Sequence, residues 1–387
     1  MVTLVAECII RIKKADEKRQ RSIYGKVTSI VGIVLNLLLF AAKNVIGVIS
    51  GSIAITADAF NNLSDACSSI ITLMGFWFGS KRADRDHPFG HGRLEYLSGL
   101  GVSFLILLMG AELLRDSVLK LIHPEEIKVS SSLFLTLGLS ILIKLYMACY
   151  NSSIGKKISS GALRASAFDS LSDCVSTTVV LLSVLFFKLT GINIDGWAGV
   201  AVSVFILTGG IKMIKETSSP LLGALPDPKL VEKIKALVLE ENEILEIHDM
   251  IIHDYGPERK MVSLHAEVDG SGDIFRLHDA IDAAENRVQA ELGMQTIIHM
   301  DPVHMDDEER KECRKRMDDI IRQIDERLSI HDFRMSRQEG RLQFSFDIQV
   351  PEKFFMNEYE LRQTVTHKAR EVWADCELKI QVELSYV

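Results

Sequence analysis

Residues 57–69 read ADAFNNLSDACSS. The stretch before them, SIVGIVLNLLLFAAKNVIGVISGSIAIT (29–56), and the one after, IITLMGFWFG (70–79), have the composition of membrane spans. Asp58, Asn61, Asn62 and Asp65 lie between the two. A carboxylate at the centre of a bilayer costs about 3 kcal/mol or more, so intramembrane acids face a cavity, a partner or an ion. Asp58, Asn61 and Asp65 are spaced i, i+3, i+7 and share one helix face. Farther on, SAFDSLSDCVS (166–176) sets Asp169 and Asp173 at i, i+4, again on one face. The two stretches are alike, NNLSDACSS beside DSLSDCVST, and two helices carrying them can meet in a bundle interior.

Composition frames these segments. The chain has 387 residues, 47% of them hydrophobic and 25% charged, a mixture that suits a membrane part joined to a soluble part. The net charge of −8 argues against nucleic acid as a partner. Cys8, Cys67, Cys149, Cys174, Cys313 and Cys376 form no CxxC pair, hence neither a disulfide framework nor a cysteine zinc site. The start, MVTLVAECIIRIKKADEKRQRSIYGK (1–26), lacks the order of a signal peptide and reads as an amphipathic cytoplasmic segment.

Six stretches approximate a span of about 20 apolar residues: 27–49, 52–78, 97–121, 131–150, 160–187 and 195–215. The second and fifth are the least apolar and carry the acids. Basic residues collect on one side, at 13–26, 81–93, 156–164 and 212–215, while SGS, KLIHPEEIKVSS and KLTGINID on the other side hold few. The positive-inside rule then puts both termini, and everything after 216, in the cytoplasm. The domains expected are 1–26, an N-terminal segment; 27–217, the six-helix membrane domain; 218–303 and 304–387, two cytoplasmic parts.

The bland reading of the acids is interhelical hydrogen bonding among Ser, Asn and protonated Asp. Acids at matching spacings, with no basic residue in the spans set to neutralise all of them, call for a cation instead. Lys43 and Lys144 are the nearest bases, and both are placed to snorkel.

Six spans, a polar-xxx-Asp motif in spans two and five, and a His-rich cytoplasmic part together resemble the cation diffusion facilitators, a family of homodimeric metal/proton antiporters. The resemblance covers about residues 20–303. It implies a membrane α-helical six-span bundle with a cytoplasmic α+β ferredoxin-like domain. It also implies a transport site on Asn61, Asp65, Asp169 and Asp173, with Asp58 as a neighbour or further ligand. All four main positions offer oxygen, which suits harder ions than imidazole or thiolate do. The Asn-xxx-Asp and Asp-xxx-Asp pairs resemble the manganese branch, so Mn²⁺ is favoured, with Fe²⁺ and then Zn²⁺ or Cd²⁺ behind it. Cys67 and Cys174, just beyond ligand aspartates, read as packing residues. Crowded carboxylates hold protons when empty, so metal and protons compete for the same oxygens, which is antiport in outline. By the same branch resemblance the membrane is a bacterial cell membrane.

The loop SKRADRDHPFGHGRLEYLSG (80–99) carries Asp84, His87 and His91, which resemble the family's metal site at the membrane surface. Pro88 and Gly90 argue against a helix there, so a site would be an open loop site, and the alternative is a basic loop fixing the start of span three. Arg93 and Glu95 read as salt-bridge partners.

From about 226 the pattern runs helix, strand, strand, helix, strand, the order of a ferredoxin-like sandwich. His248, His265, His278, His299 and Asp301 match the family's regulatory metal positions, and His253 lies nearer the GPERK turn. The tail repeats the pattern: SIHDFRMSRQEGRLQFSFDIQV (329–350) mirrors EIHDMIIHDYGPERKMVSLHAEV (246–268). His331 remains beside Asp347, but Arg362, Gln381 and Glu383 stand at the positions of His278, His299 and Asp301. The second copy therefore reads as structural or dimer-forming rather than a second sensor.

The lead expectation is export of a divalent metal. A membrane-anchored metal sensor that moves nothing is the alternative from another class, and a channel is a third. No GxxxxGK[ST] occurs, which argues against ATP-driven pumping, and no nucleophile with its base marks an enzyme. No organic cofactor is implied.

Overall fold

The structure is a computed structural model that describes residues 2–13, 17–50, 53–123, 131–257, 259–303, 308–338, 341–351 and 354–384. The expected outer connections at 51–52 and 124–130, and Glu258 of the GPERK turn, lie outside the described residues. Two compact units are present, Met1–Ala224 with His253–Lys260, and Leu225–Ile252 with Met261–Val387.

The first unit is helical: α1 (Val2–Lys13), α2 (Glu17–Ser50), α3 (Ile53–Gly79), α4 (Arg93–Ile122), α5 (Ser131–Lys157), α6 (Gly161–Thr190) and α7 (Asp195–Leu222). Among the described residues five helical stretches are long and apolar enough to cross a membrane: Arg19–Ile49, Arg93–Ile122, Phe134–Lys157, Gly161–Thr190 and Asp195–Leu222. α3 is not among them; Asp58, Asn61, Asn62 and Asp65 lower its hydropathy. The helices also outrun the apolar windows. α2 starts at Glu17 rather than 27 and α5 ends at Lys157 rather than 150, because a helix continues through polar residues once its apolar part is fixed.

Local chemistry sets the ends and seats of α6. Ser160 caps its start, its hydroxyl accepting from Leu163 N at 3.3 Å, and Gly191 closes it with φ 72°. In α7, Gly209 admits the ring of Phe168; a Cβ there would sit 1.9 Å from Phe168 Cζ. Phe168 precedes Asp169, so this close approach seats the acidic turn of α6. A Thr72–Ser166 hydroxyl contact of 3.0 Å ties α3 to α6. Phe76, Met147, Ile154 and Leu163 form a buried cluster where α3, α5 and α6 meet.

The second unit is built twice over. α8 (Pro228–Val238), β1 (Ile244–Asp254), β2 (Lys260–Asp269), α9 (Ile274–Leu292) and β3 (Gln295–Val303) make one lobe; β1 and β2 meet at the tip assigned to the first unit. α10 (Glu308–Arg322), β4 (Ser329–Gln338), β5 (Arg341–Val350), α11 (Glu358–Val372) and β6 (Glu377–Leu384) make the other. The sheets run β1-β2-β3 and β4-β5-β6, with the last two strands of each parallel. Each lobe has its own core, around Val262, Leu264 and Ala284 in the first and Met317, Phe344 and Phe346 in the second. The likeness extends to backbone detail: Asp249 and Asp332, each following the His of an Ile-His-Asp triplet, adopt φ of 51° and 47°. Aspartate tolerates this left-handed region better than most side chains.

Because the cores are separate, Phe344→Ala is expected to act on one lobe. Phe344 is fully buried, and truncation of such a side chain costs about 3–5 kcal/mol. Hydrogen exchange on the purified chain should show β4–β6 amides exchanging faster while β1–β3 amides keep their protection. Equal loss in both sheets would contradict separate cores.

Candidate metal centres

Among the described residues ligand-type side chains come together in four places, two overlapping histidine groups being taken as one, and the first lies among the helices of the opening motif. Asp65 of α3 meets Asp169 and Asp173 of α6, with one oxygen from each within 4.8 Å of the others. All three are buried, Asp65 to 1% exposure. Lys144 of α5 enters the group: its Nζ donates to Asp65 Oδ2 and to Asp173 Oδ2, both at 2.6 Å. Among the described residues Asp65 Oδ1 has no hydrogen-bond partner although it is buried. Such an atom loses hydration without return, and a cation at the cluster would satisfy it.

The two lysines expected to snorkel are turned inward instead, although a single lysine does not neutralise all three acids. Lys144 falls midway along α5, since that helix runs on to Lys157, and it is buried rather than snorkelling. Lys43 is likewise buried, its Nζ 2.7 Å from Asp58 Oδ2. Asp58 therefore has a partner of its own and stands outside the three-carboxylate group. Asn61 is exposed and, among the described residues, makes no hydrogen bond to the three acids. Its neighbour Asn62 is buried, gives Nδ2 to Asp58 O at 2.8 Å, and among the described residues leaves Oδ1 unpartnered. Spacing put Asn61 on the face of Asp65, but a step of one residue turns a helix by about 100°, and the three-residue step from Asn62 points nearly as well. A lysine inside an apolar span is itself rare enough to have singled out Lys144.

The second group is in the loop after α3. Asp84 Oδ1 accepts from His87 N at 2.8 Å, and the carboxylate lies 3.4 Å from His87 Nδ1 and 3.5 Å from His91 Nε2. The backbone hydrogen bond from His87 lowers the Asp84 pKa below its usual value. Among the described residues, the buried His91 Nδ1 has no hydrogen-bond partner. The segment is turns and bends, with Gly90 at φ 80°. Arg93 and Glu95 are engaged elsewhere in the same unit. Arg93 Nε donates to Asp254 O at 3.0 Å, and Glu95 binds Arg21 at 2.5 and 2.7 Å.

The third group is in the first lobe of the second unit. Parallel pairing sets His265 opposite His299, and Asp301 two residues on shares that face. Asp301 lies 2.8 Å from His265 Nδ1, 3.4 Å from His248 Nε2 and 3.4 Å from His299 Nε2. His278 is not brought to this group: it stands exposed on α9, 3.3 Å from Asp282. Helical position alone did not reveal that this face of α9 turns away from the sheet. His253 is exposed and belongs to the first unit.

The fourth group was not foreseen. Asp249 of β1, Asp347 of β5 and Glu383 of β6 have oxygens within 4.8 Å of one another, so it draws on both lobes. Burial, then the charges of Glu383 and Asp249, push Asp347 up to about 6. Burial, then a hydrogen bond with Asp249, raises Glu383, whereas the His248 hydrogen bond holds Asp249 down at about 2. Its members lie far apart in the chain, and no spacing in the sequence joins them.

Comparison with known proteins places the chain in a family. A family model described as the cation efflux transmembrane domain matches residues 29–222, and one described as the cation efflux protein cytoplasmic domain matches 226–303. Residues 304–387 lie outside both matches. An uncharacterized transporter of Methanocaldococcus jannaschii is 32% identical over 71% of this chain and 97% of its own length. The manganese efflux system protein MneP of Bacillus subtilis is 26% identical over 74% of this chain and 98% of its own. The cation-efflux pump FieF of Shewanella oneidensis is 25% identical over 74% and 97%. The chain is thus an integral membrane protein of the cation efflux family, the cation diffusion facilitators.

Proposed function

We propose that this protein exports divalent metal cations from the cytoplasm in exchange for protons, with Mn²⁺ as its principal substrate. The observation that carries the reading is the convergence of Asp65, Asp169 and Asp173 with Lys144. Three carboxylates and one ammonium leave two negative charges when all are ionised, the complement of one divalent ion. Oxygen donors favour Mn²⁺ over softer ions, and the names of MneP and MneS describe manganese efflux. Asn61 stands as the proposed fourth donor on its motif position, with Asp58 beside it.

In this reading α3 is the sixth span, with Asn62 and Asp65 turned into the bundle and Asn61 on its exposed side. Residues 1–26 form the N-terminal segment, 27–217 the membrane domain, and 218–303 and 304–387 two ferredoxin-like lobes. Both termini are cytoplasmic, the membrane is a bacterial cell membrane, and the protein works as a homodimer. Asp84, His87 and His91, and His248, His265, His299 and Asp301, act as accessory metal sites. His278 joins the second of these only if another copy supplies it. The cycle follows from competition: cytoplasmic metal displaces protons from the three aspartates, the bundle opens outward, and protons return as metal leaves. No step calls for enzyme chemistry.

Two measurements test this. In vesicles containing the purified protein, Asp65→Ala, Asp169→Ala and Asp173→Ala should each reduce Mn²⁺ flux to background while leaving the protein folded. Retained flux in one variant removes that residue from the ligand set, and flux of Fe²⁺ or Zn²⁺ alone moves the substrate assignment to that metal. Absence of flux for every ion in folded protein supports the sensor reading. Asn61→His should raise Zn²⁺ flux relative to Mn²⁺; an unchanged ratio leaves the three aspartates without Asn61.

A further inference from the structure

Where the starts of α2 and α4 and the end of α3 come together, the first unit holds a cavity of about 550 Å³. Its wall carries Arg19, Arg21 and Lys26 of α2, Arg82 of the loop after α3, and Arg259 of the β1–β2 tip that belongs to this unit. Glu95 of α4 is the acid on the described wall, and its oxygens are already engaged. Arg21 donates to both of them at 2.5 and 2.7 Å, and Ser160 Oγ donates to Oε1 at 2.8 Å. Of the five cations on the wall, Glu95 matches one, which leaves four positive charges in excess there.

The guanidinium of Arg259 is fixed in place. Its Nη1 donates to Phe89 O at 3.3 Å and its Nη2 to Lys81 O at 3.5 Å. Gly90, at φ 80°, makes the room: a Cβ there would lie 2.2 Å from Arg259 Nη1. Both acceptors are neutral carbonyls, so the charge is held in position without being cancelled. Among the described residues neither Arg259 nor the exposed Arg82 makes an ion pair. The depth of the cavity is a separate observation. The membrane-crossing stretch of α2 begins at Arg19 and that of α4 at Arg93, so the cavity lies at one face of the bilayer, at the level of the headgroups. Trp77, exposed at the end of α3, stacks on Phe78 at 5.9 Å, and Lys81 Nζ sits 4.6 Å over the Phe78 ring, the aromatic and basic mixture of a membrane interface. A basic loop that only orients the spans has no use for a guanidinium brought back from residue 259.

We propose that this cavity binds the phosphate of an anionic phospholipid from the surrounding bilayer, with Arg82 and Arg259 as its principal contacts and Arg19 and Lys26 beside them. Guanidinium groups present paired N–H donors that match phosphate oxygens, and basic pockets between spans at a membrane face are where acidic headgroups bind. A zwitterionic headgroup brings its own cation, which this wall repels. The bound phosphate contacts α2, the loop after α3 and the tip at 259 together, so it staples the β1–β2 tip to the helix ends. The site asks only that the chain sit in a membrane, and it does not depend on transport.

The test presents the full chain, purified in a neutral detergent, with equal amounts of phosphatidylglycerol and phosphatidylcholine, and counts retained lipid by native mass spectrometry. The unaltered chain should retain phosphatidylglycerol in preference, and the pair Arg82→Gln and Arg259→Gln should lower that preference about tenfold. Arg82→Gln alone changes an exposed side chain and should fold, so its partial loss of preference stands even if the pair does not fold. Arg85→Gln, exposed on the same loop but off the cavity wall, should leave the preference as it is. An equal loss in Arg85→Gln means general surface charge and overturns the site, as does an absence of preference in the unaltered chain. Inorganic phosphate in excess should leave phosphatidylglycerol bound; its displacement assigns the cavity to free phosphate and overturns the lipid. A failure of the transport reading would show in flux and leave these counts as they are.

Discussion

Three carboxylates buried among apolar helices, held around one lysine, are the constraint on which the membrane part depends. Asp65, Asp169 and Asp173 come from α3 and α6, and Lys144 from α5, so these three helices must meet at one depth. The local details serve that meeting. Ser160 starts α6, Gly209 lets Phe168 in beside Asp169, and Thr72 touches Ser166. A buried ion-pair cluster is poor evidence for stability, since apolar residues of the same volume often stabilise as well or better. Under the proposed transport, its presence across three helices is explained by the cation it would bind. The lysine would then temper the site: without it the acids would carry three charges against a divalent ion's two, and release of the ion would be harder.

The second unit follows another logic, duplication. The same order of helices and strands occurs twice, with separate cores and matching left-handed aspartates after matching histidines. Two lobes on one chain meet without the entropic cost of bringing separate molecules together, so a seam between them can be small and polar. The seam is where ligand-type residues gather: the histidine group of the first lobe and the mixed carboxylate group share one cavity.

Much of this was legible before any coordinates. Long apolar windows announced the helices, the repeated Leu-Ser-Asp triplets announced the paired acids, and the two Ile-His-Asp triplets announced the repeat. Parallel pairing then put His265, His299 and Asp301 on one face, as alternation along strands requires. What stayed hidden were rotations and partners. Spacing gives the face that residues share, but not which helix that face meets; hence Lys144 and Lys43 were read as snorkelling, and the buried Asn62 went unremarked. For the same reason the exposed position of His278 on α9 was not visible. The seam triad was out of reach because its members come from strands far apart in the chain and from both lobes. Only the packing of one sheet near the other brings Asp249 to Asp347 and Glu383.

The central claim is that metal and protons exchange at the three buried aspartates. The most direct measurement follows pH inside vesicles containing the purified protein while Mn²⁺ is added outside, with metal and proton movement recorded together. The account predicts protons moving opposite to Mn²⁺ in a fixed ratio, and an imposed pH gradient driving Mn²⁺ uphill. Mn²⁺ movement with no accompanying proton movement, in protein shown to be folded and correctly oriented, would contradict it.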